Sequence, residues 1–326
     1  MQRSYWALMC WLYAASFAPM LRAAALRHDG SPLSYPVHAV LYGRSDGGKT
    51  MFSRVIARSM FGIEQMVRGQ HFTAARALGL RDQLGAIPLL VDDVDRSRFT
   101  QYVPDLVKFD HDSGEGYAPI LISTNRDVMA IPPDLRKRMV VCHIDGARPR
   151  SMPETPARQA LAKIGTAFYR AYLERIALAV PDMLAAIAAD PLNPPDLLHL
   201  SSRALSALVA EALDEQPAWA QPLSLGEVDR LKDKPLLDML NDLIAQNDER
   251  VSVNRAAGEM LVHFAGDHHQ AGRFEKLVPA QVLKGRFTDM VKLDLAALEQ
   301  EYGFSARRSQ RSWLPWLFSR LRSKGR

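Results

Sequence analysis

Four short apolar runs punctuate the first 150 residues, and each ends in a polar or glycine-rich cluster. They are Pro36 to Tyr42 (PVHAVLY), Ile87 to Val91 (within AIPLLVDDVD), Ile120 to Ile122 (within YAPILISTNRDV) and Met139 to Ile144 (within DLRKRMVVCHID). Continuous apolar runs of this length predict buried parallel strands. After Thr50, Met51, Phe52, Val55, Ile56 and Met60 recur at helical spacing, with Gly62 as a C-terminal stop. The stretch DRSRFTQYVPDLV predicts a second helix, with Asp95 as its cap. Strands alternating with helices predict an α/β fold: a parallel sheet with flanking helices.

Beyond residue 150 the period changes. Arg148 to Pro156 (RPRSMPETP) reads as a linker. Helical patterns follow at Ala157 to Val180, Pro195 to Asp214 and Leu236 to Gln246, separated by proline-rich stretches. RVSVN and GEMLVHFAG then read as short strands, followed by mixed turns and a helix at DLAALEQEYG. The expected organisation is an apolar N-terminal helix over 1–32, an α/β core over 33–150, a helical region over 151–248, a small α+β module over 249–304 and a basic tail over 305–326.

The N-terminal run from Ser4 to Leu21 carries no charge and is flanked by Arg3 and Arg22. Its length and composition fit a membrane span or a signal peptide. Pro19 and the interleaved tryptophans and tyrosines fit better with a helix packed on the α/β core. If the chain is part of a longer protein, a further N-terminal partner domain is a third way to cover a helix that is apolar on all sides.

At 326 residues and 48% hydrophobic, the chain holds enough apolar material for about two domains, which excludes wholesale disorder. Its two cysteines, Cys10 and Cys142, match no metal spacing and fit free thiols in a reducing cytoplasm. The net charge of +5 is modest and unevenly spread. Asp267-His268-His269 is an acid and histidine group for which a metal site is conceivable, but adjacent histidines on a polar turn read as solvated. The sequence holds no G-x-S-x-G and no H-E-x-x-H, so hydrolysis of something other than a nucleotide is unsupported.

The chemistry concentrates at the strand ends. Gly43-Arg44-Ser45-Asp46-Gly47-Gly48-Lys49-Thr50 fits G-x-x-x-x-G-K-[ST] between a strand and a helix. Glycines at Gly43, Gly47 and Gly48 let backbone N–H groups turn inward around phosphates, and a helix N-terminus adds positive potential. Lys49 is placed to reach the β- and γ-phosphates, and Thr50 to hold Mg²⁺. The run ending in Asp92-Asp93 supplies acids at the C-terminal edge of a strand. Asp92 is the candidate metal partner, and Asp93 the group that orients and deprotonates an attacking water. Asn125 closes a third strand with an amide suited to the γ-phosphate. Arg136-Lys137-Arg138 precede the last strand and offer an arginine finger through Arg136 or Arg138.

This order resembles the Walker A, Walker B, sensor 1 and arginine-finger series of AAA+ ATPases, and its layout is closest to the superfamily-three helicases. The loop-to-Walker-B interval is short, 44 residues from Lys49 to Asp93, and PILISTN is similar to that branch's motif C. Leu106 to Pro119 falls where that branch has its B′ segment, with Lys108 as the basic candidate. The resemblance covers roughly residues 33 to 150. The pair Asp92-Asp93 stands where many AAA+ proteins have Asp-Glu, and Arg158 and Arg203 are the candidates for sensor 2. The resemblance implies that the helices after the core form a lid, that ATP and Mg²⁺ are the cofactors, and that the chain assembles into a homo-oligomer.

The expected function is Mg²⁺-dependent ATP hydrolysis driving an oligomeric motor on DNA, a helicase or translocase of a mobile-element or defence system. The alternative is a nucleotide-gated switch or assembly scaffold with no nucleic acid. The tail from Arg307 to Arg326 bears on the choice: seven basic residues and no acid, interleaved with Trp313, Trp316, Leu317, Phe318 and Leu321. Arginines among aromatics suit phosphates and bases. The same pattern also suits an anionic membrane surface or a helix docked on the protein.

Overall fold

The computed structural model describes residues 2–43, 47–113, 117–125, 135, 137–144, 154–231, 240, 250–278, 282–302 and 304. They fall into two compact units, Met1–Lys232 and Asp233–Arg326.

In the first unit the apolar runs form a five-stranded parallel sheet. Its strands are β1 (His38–Gly43), β2 (Val67–Arg68), β3 (Leu89–Asp92), β4 (Ile120–Thr124) and β5 (Val140–Ile144), in the order β2-β3-β4-β1-β5. The strand that follows the acidic one is therefore inserted between it and the glycine-loop strand. Tyr42 lies beside Thr124 and Gly43 beside Ile144, so the loop, the acids and the amide leave the sheet on one edge. Alternate residues serve the two faces: Ala39, Leu41, Leu121 and Cys142 enter one core cluster, and Val40, Tyr42, Ile122 and Val141 enter the other. Helices α3 (Lys49–Phe61), α4 (Ala74–Leu84) and α5 (Arg96–Ser113) connect the strands. The helix signals after Thr50 and Asp95 are legible in detail. Gly62 ends α3 in the left-handed region at φ 75°, and Asp95 accepts the Arg98 N–H at 3.0 Å.

The N-terminal apolar segment is two helices rather than one, α1 (Gln2–Ala15) and α2 (Ala18–Arg27), bent by 69°. Pro19 sits in the first turn of α2, where its missing N–H leaves no hydrogen bond unmade. No single helix among the described residues is long and apolar enough to cross a membrane, although this bent pair passes by length and composition. Trp6, Leu8, Leu12 and Tyr13 are all buried within the unit. What covers α1 on its second side comes from later in the chain: Tyr169, Tyr172, Leu205 and Leu208 belong to the same cluster as Trp6 and Leu41. A helix apolar all round is buried all round, and here the unit's own later helices complete its enclosure.

Those later helices are α6 (Glu154–Lys163), α7 (Ala167–Ala177), α8 (Val180–Ala189), α9 (Leu197–Leu213) and α10 (Leu225–Leu231). The single helix read over Ala157 to Val180 breaks after Lys163, next to Gly165, and again after Ala177. The second break is set by Pro181, which occupies the first turn of α8. Of Leu236 to Gln246, all but Leu240 lie outside the described residues.

A buried charge group sits at the other end of β1. Asp110 on α5 takes His38 Nε2 at 2.8 Å and Arg81 at 2.6 Å, while its main-chain oxygen accepts from Arg22 at 2.9 Å. Arg81 also donates to the Ala118 carbonyl. All four side chains are buried, so β1, α2, α4, α5 and the approach to β4 are tied together there.

The second unit is a four-stranded antiparallel sheet, order β6-β7-β9-β8, made of β6 (Val251–Asn254), β7 (Glu259–His263), β8 (Leu283–Phe287) and β9 (Met290–Asp294). Helices α11 (His268–Leu277) and α12 (Leu295–Tyr302) supply Phe274 and Leu298 to its core. Where the sequence reads as mixed turns, α11, β8 and β9 form. Lys284, Gly285 and Arg286 hide β8, although Met290-Val291-Lys292-Leu293 does alternate. Asp267 is the N-cap of α11, accepting the Gln270 N–H at 2.9 Å, and His268 Nδ1 lies 3.0 Å from the Thr288 carbonyl oxygen.

Candidate nucleotide site

The C-terminal edge of the parallel sheet gathers Lys49, Thr50, Asp92, Asp93, Ser123 and Asn125. Lys49 and Thr50 open α3, so their N–H groups lie in the first turn, where no intrahelical acceptor exists. Lys49 is buried and its ammonium donates to the Gly43 carbonyl at 3.0 Å. That bond folds the lysine back over the loop that precedes it. Gly48 caps the helix at φ 89°, a conformation that L side chains rarely adopt.

Gly43 is glycine for a different reason from the one its motif suggests. At φ 144°, a Cβ there would lie 2.1 Å from the Ile144 carbonyl oxygen of the neighbouring strand. Close approach of β5 therefore excludes a side chain, quite apart from any phosphate. Arg44, Ser45 and Asp46 lie outside the described residues.

The acids are organised by hydroxyls. Thr50 Oγ1 donates to Asp92 Oδ1 at 3.3 Å, and Ser123 Oγ donates to the same oxygen at 2.6 Å. The Ser123 hydroxyl in turn accepts the Asp93 N–H at 2.9 Å, and its carbonyl accepts the Val94 N–H at 2.8 Å. Ser123 thus fixes both acids from the inserted strand. Asp93 leaves β3 in the left-handed region at φ 57°, which a short polar side chain tolerates. Its Oδ1 accepts from Asn125 Nδ2 at 2.6 Å. The amide expected to meet a phosphate therefore also meets the candidate base.

Two contributors escape sequence reading. Ser123 looks like the ordinary end of an apolar strand, and only the insertion of β4 beside β3 reveals its partners. Gly69, in the turn after β2, packs against the Asp93 turn so closely that a Cβ would lie 2.2 Å from the Asp93 carbonyl oxygen. No motif marks it.

The basic cluster lies elsewhere. Arg138 precedes β5, and its N–H donates to the Leu135 carbonyl at 3.0 Å. β5 runs parallel to β1, so Arg138 sits at the sheet edge opposite the loop, where β1 begins. The chain does not bring Arg138 to its own Lys49. Arg136 lies outside the described residues, as do the side chain of Arg158 and the tail beyond Phe304. Arg203 lies exposed on α9, and Lys108 lies exposed on α5, which continues through the first half of the segment read as B′.

The oxygens present suit a hard divalent cation. Thr50 and Asp92 put a hydroxyl and a carboxylate within 3.3 Å of each other beside the loop, the donor type that Mg²⁺ takes together with substrate phosphates and water.

Residues 1–128 match the family model of the Aq_aa27 P-loop NTPase domain. A search of curated proteins found no match. Among solved structures, the chain is similar to the active helicase Cch of SCCmec type IV, at 12% identity over 91% of this chain and 69% of that one, with a TM-score of 0.40. It is similar to a point variant of Thermotoga maritima RuvB at 16% identity over 87% and 92%, TM-score 0.27. It is similar to the FIGL-1 AAA domain in complex with ADP at 15% identity over 54% and 76%, TM-score 0.25. Likenesses this distant carry no residue roles.

Proposed function

We propose that the chain hydrolyses ATP with Mg²⁺ and uses the cycle to drive an oligomeric motor on DNA. One observation carries the hydrolysis: a lysine, a threonine hydroxyl, two carboxylates and an amide converge on one sheet edge, beside a helix N-terminus. Lys49 and the first N–H groups of α3 bind the β- and γ-phosphates. Thr50 and Asp92 hold Mg²⁺, which when bound neutralises charge developing on the phosphate oxygens. Asp93 takes a proton from water as its oxygen attacks the γ-phosphorus. The bond from that phosphorus to the bridging oxygen breaks, and ADP leaves with the electron pair. Asn125 orients Asp93 and contacts the γ-phosphate.

The DNA motor rests on the superfamily-three resemblance of the core and on the arginine and tryptophan tail. The position of Arg138 supports the homo-oligomer: it lies at the sheet edge opposite its own loop, so a finger role there would act on a neighbour's ATP. Available ATP and Mg²⁺ put the protein in the cytoplasm.

The test is phosphate release with Mg²⁺ or with EDTA, with and without single- or double-stranded DNA. Mg²⁺-dependent turnover that rises with DNA supports the motor. Turnover that ignores DNA favours a nucleotide-gated switch or scaffold. Asp93→Asn should keep ATP binding and lose turnover by about 10²-fold or more, and turnover at the parent rate would remove Asp93 as the base.

A further inference from the structure

We infer that Tyr5, on the N-terminal helix, is a positioning residue for the phosphate loop: its hydroxyl holds the Gly47 carbonyl outward and thereby sets the Gly47–Gly48 peptide for phosphate binding. This rests on the nucleotide reading of the site. The Tyr5 hydroxyl donates to the Gly47 carbonyl oxygen at 2.6 Å, across 42 residues of sequence. The Tyr5 ring packs on Phe52 of α3, with centroids 4.8 Å apart, so its placement is fixed by the helix that follows the loop. The backbone around it is fixed as well. Arg3 donates to the Gln221 and Pro222 carbonyls, and Trp6 Nε1 donates to the Gln221 carbonyl at 2.9 Å.

The peptide bonds described are trans. In a trans peptide the N–H points away from the preceding carbonyl. With the Gly47 carbonyl held by Tyr5, the Gly48 N–H is turned to the far side of that peptide. A Cβ at Gly48 would meet the Tyr5 hydroxyl oxygen at 3.4 Å, an ordinary contact, so it is the φ of 89° that reserves the position for glycine. Gly48 is the N-cap of α3, whose first N–H groups are the anion-binding ones. Partial burial pushes the Tyr5 phenol up to about 12, so the hydroxyl remains a donor throughout the neutral range. Nothing in the loop motif points to this residue.

The test is Tyr5→Phe, which removes the hydroxyl and keeps the ring on Phe52. Fluorescent ADP and inorganic pyrophosphate are titrated against parent and variant, with thermal melts run alongside. The latch predicts an affinity about 2- to 10-fold weaker for both ligands, the range one hydrogen bond supplies. It also predicts a raised KM for ATP with kcat unchanged, the mark of lost ground-state binding. Equal affinities in parent and variant would overturn it, whatever the melts show. A loss for ADP but not for pyrophosphate would also overturn it, because the ring would then be meeting the base. A parent protein that binds neither ligand would overturn the site reading itself, and the latch with it.

Discussion

Asp110→Asn tests the buried charge group directly. Asp110 is about 2% exposed, and its carboxylate lies within hydrogen-bonding distance of His38 and of Arg81, which is fully buried. The amide keeps the shape and removes the charge that faces Arg81 and Arg22. Removing one partner of a buried ion pair costs about 3–5 kcal/mol, because the other charge is left uncompensated. For a unit of this size each kcal/mol corresponds to roughly 2–4 °C in Tm, so a fall of about 6–20 °C is expected. Thermal melts give the fall in Tm and urea unfolding gives the loss in kcal/mol, both followed by circular dichroism. Adding Arg81→Met should recover much of the loss, since the orphaned charge is then gone. A loss below about 1 kcal/mol, or no recovery in the double variant, would refute the reasoning. The pH dependence has a definite sign. Burial pushes His38 below its ordinary 6.5, outweighing the carboxylate beside it. Burial favours the protonated form of Asp110, but His38 and Arg81 together hold its pKa below the usual carboxylate value. Both depressions mean that the unfolded chain takes up protons the folded one refuses. This stability is present above pH 6.5, and the histidine part is lost as pH falls below that value. The aspartate part follows only near the carboxylate range. Urea midpoints in His38→Gln should flatten between pH 7 and pH 5 relative to the parent, by the ordinary histidine titration.

Three further outcomes follow from the site. Lys49→Ala should weaken ATP binding by about 10- to 100-fold, the worth of a charge-assisted hydrogen bond, in an equilibrium titration with fluorescent nucleotide. Gly69→Ala pushes a methyl group into the Asp93 turn and should cost about 1–3 kcal/mol of stability. It should lower turnover more than ADP affinity, and an unchanged kcat would separate that turn from the chemistry. Deleting 305–326 should flatten the salt dependence of DNA binding, by roughly 0.7 to 0.9 in slope per lost phosphate contact.

Four of the five parallel strands, the loop between strand and helix and the acidic strand end were legible in the sequence; β2, only Val67–Arg68, was too short to leave a pattern. Each depends on local pattern: continuous apolar runs, a glycine spacing that permits one backbone path, and helix stops such as Gly62. Asp95 as a cap is local in the same sense, whereas the break between α1 and α2 is not legible in the single apolar run. Strand order is not local. That β4 lies between β3 and β1 is a matter of pairing across some 80 residues, as in His38 beside Ile120. From it follow the parts of the site that no motif records: Ser123 holding both acids, Asn125 reaching Asp93, and Gly69 making room for the Asp93 turn. The same distinction explains α1. Its sequence says only that a helix apolar on all sides must be buried. Folding supplies the cover, from Tyr172 and Leu205 far along the chain, and sets Tyr5 on the loop at Gly47. Sequence pattern determines which surfaces must leave water and which backbones can turn. Which surfaces then meet is decided by tertiary packing, because burial is satisfied by any close-fitting apolar partner and only the fold selects one.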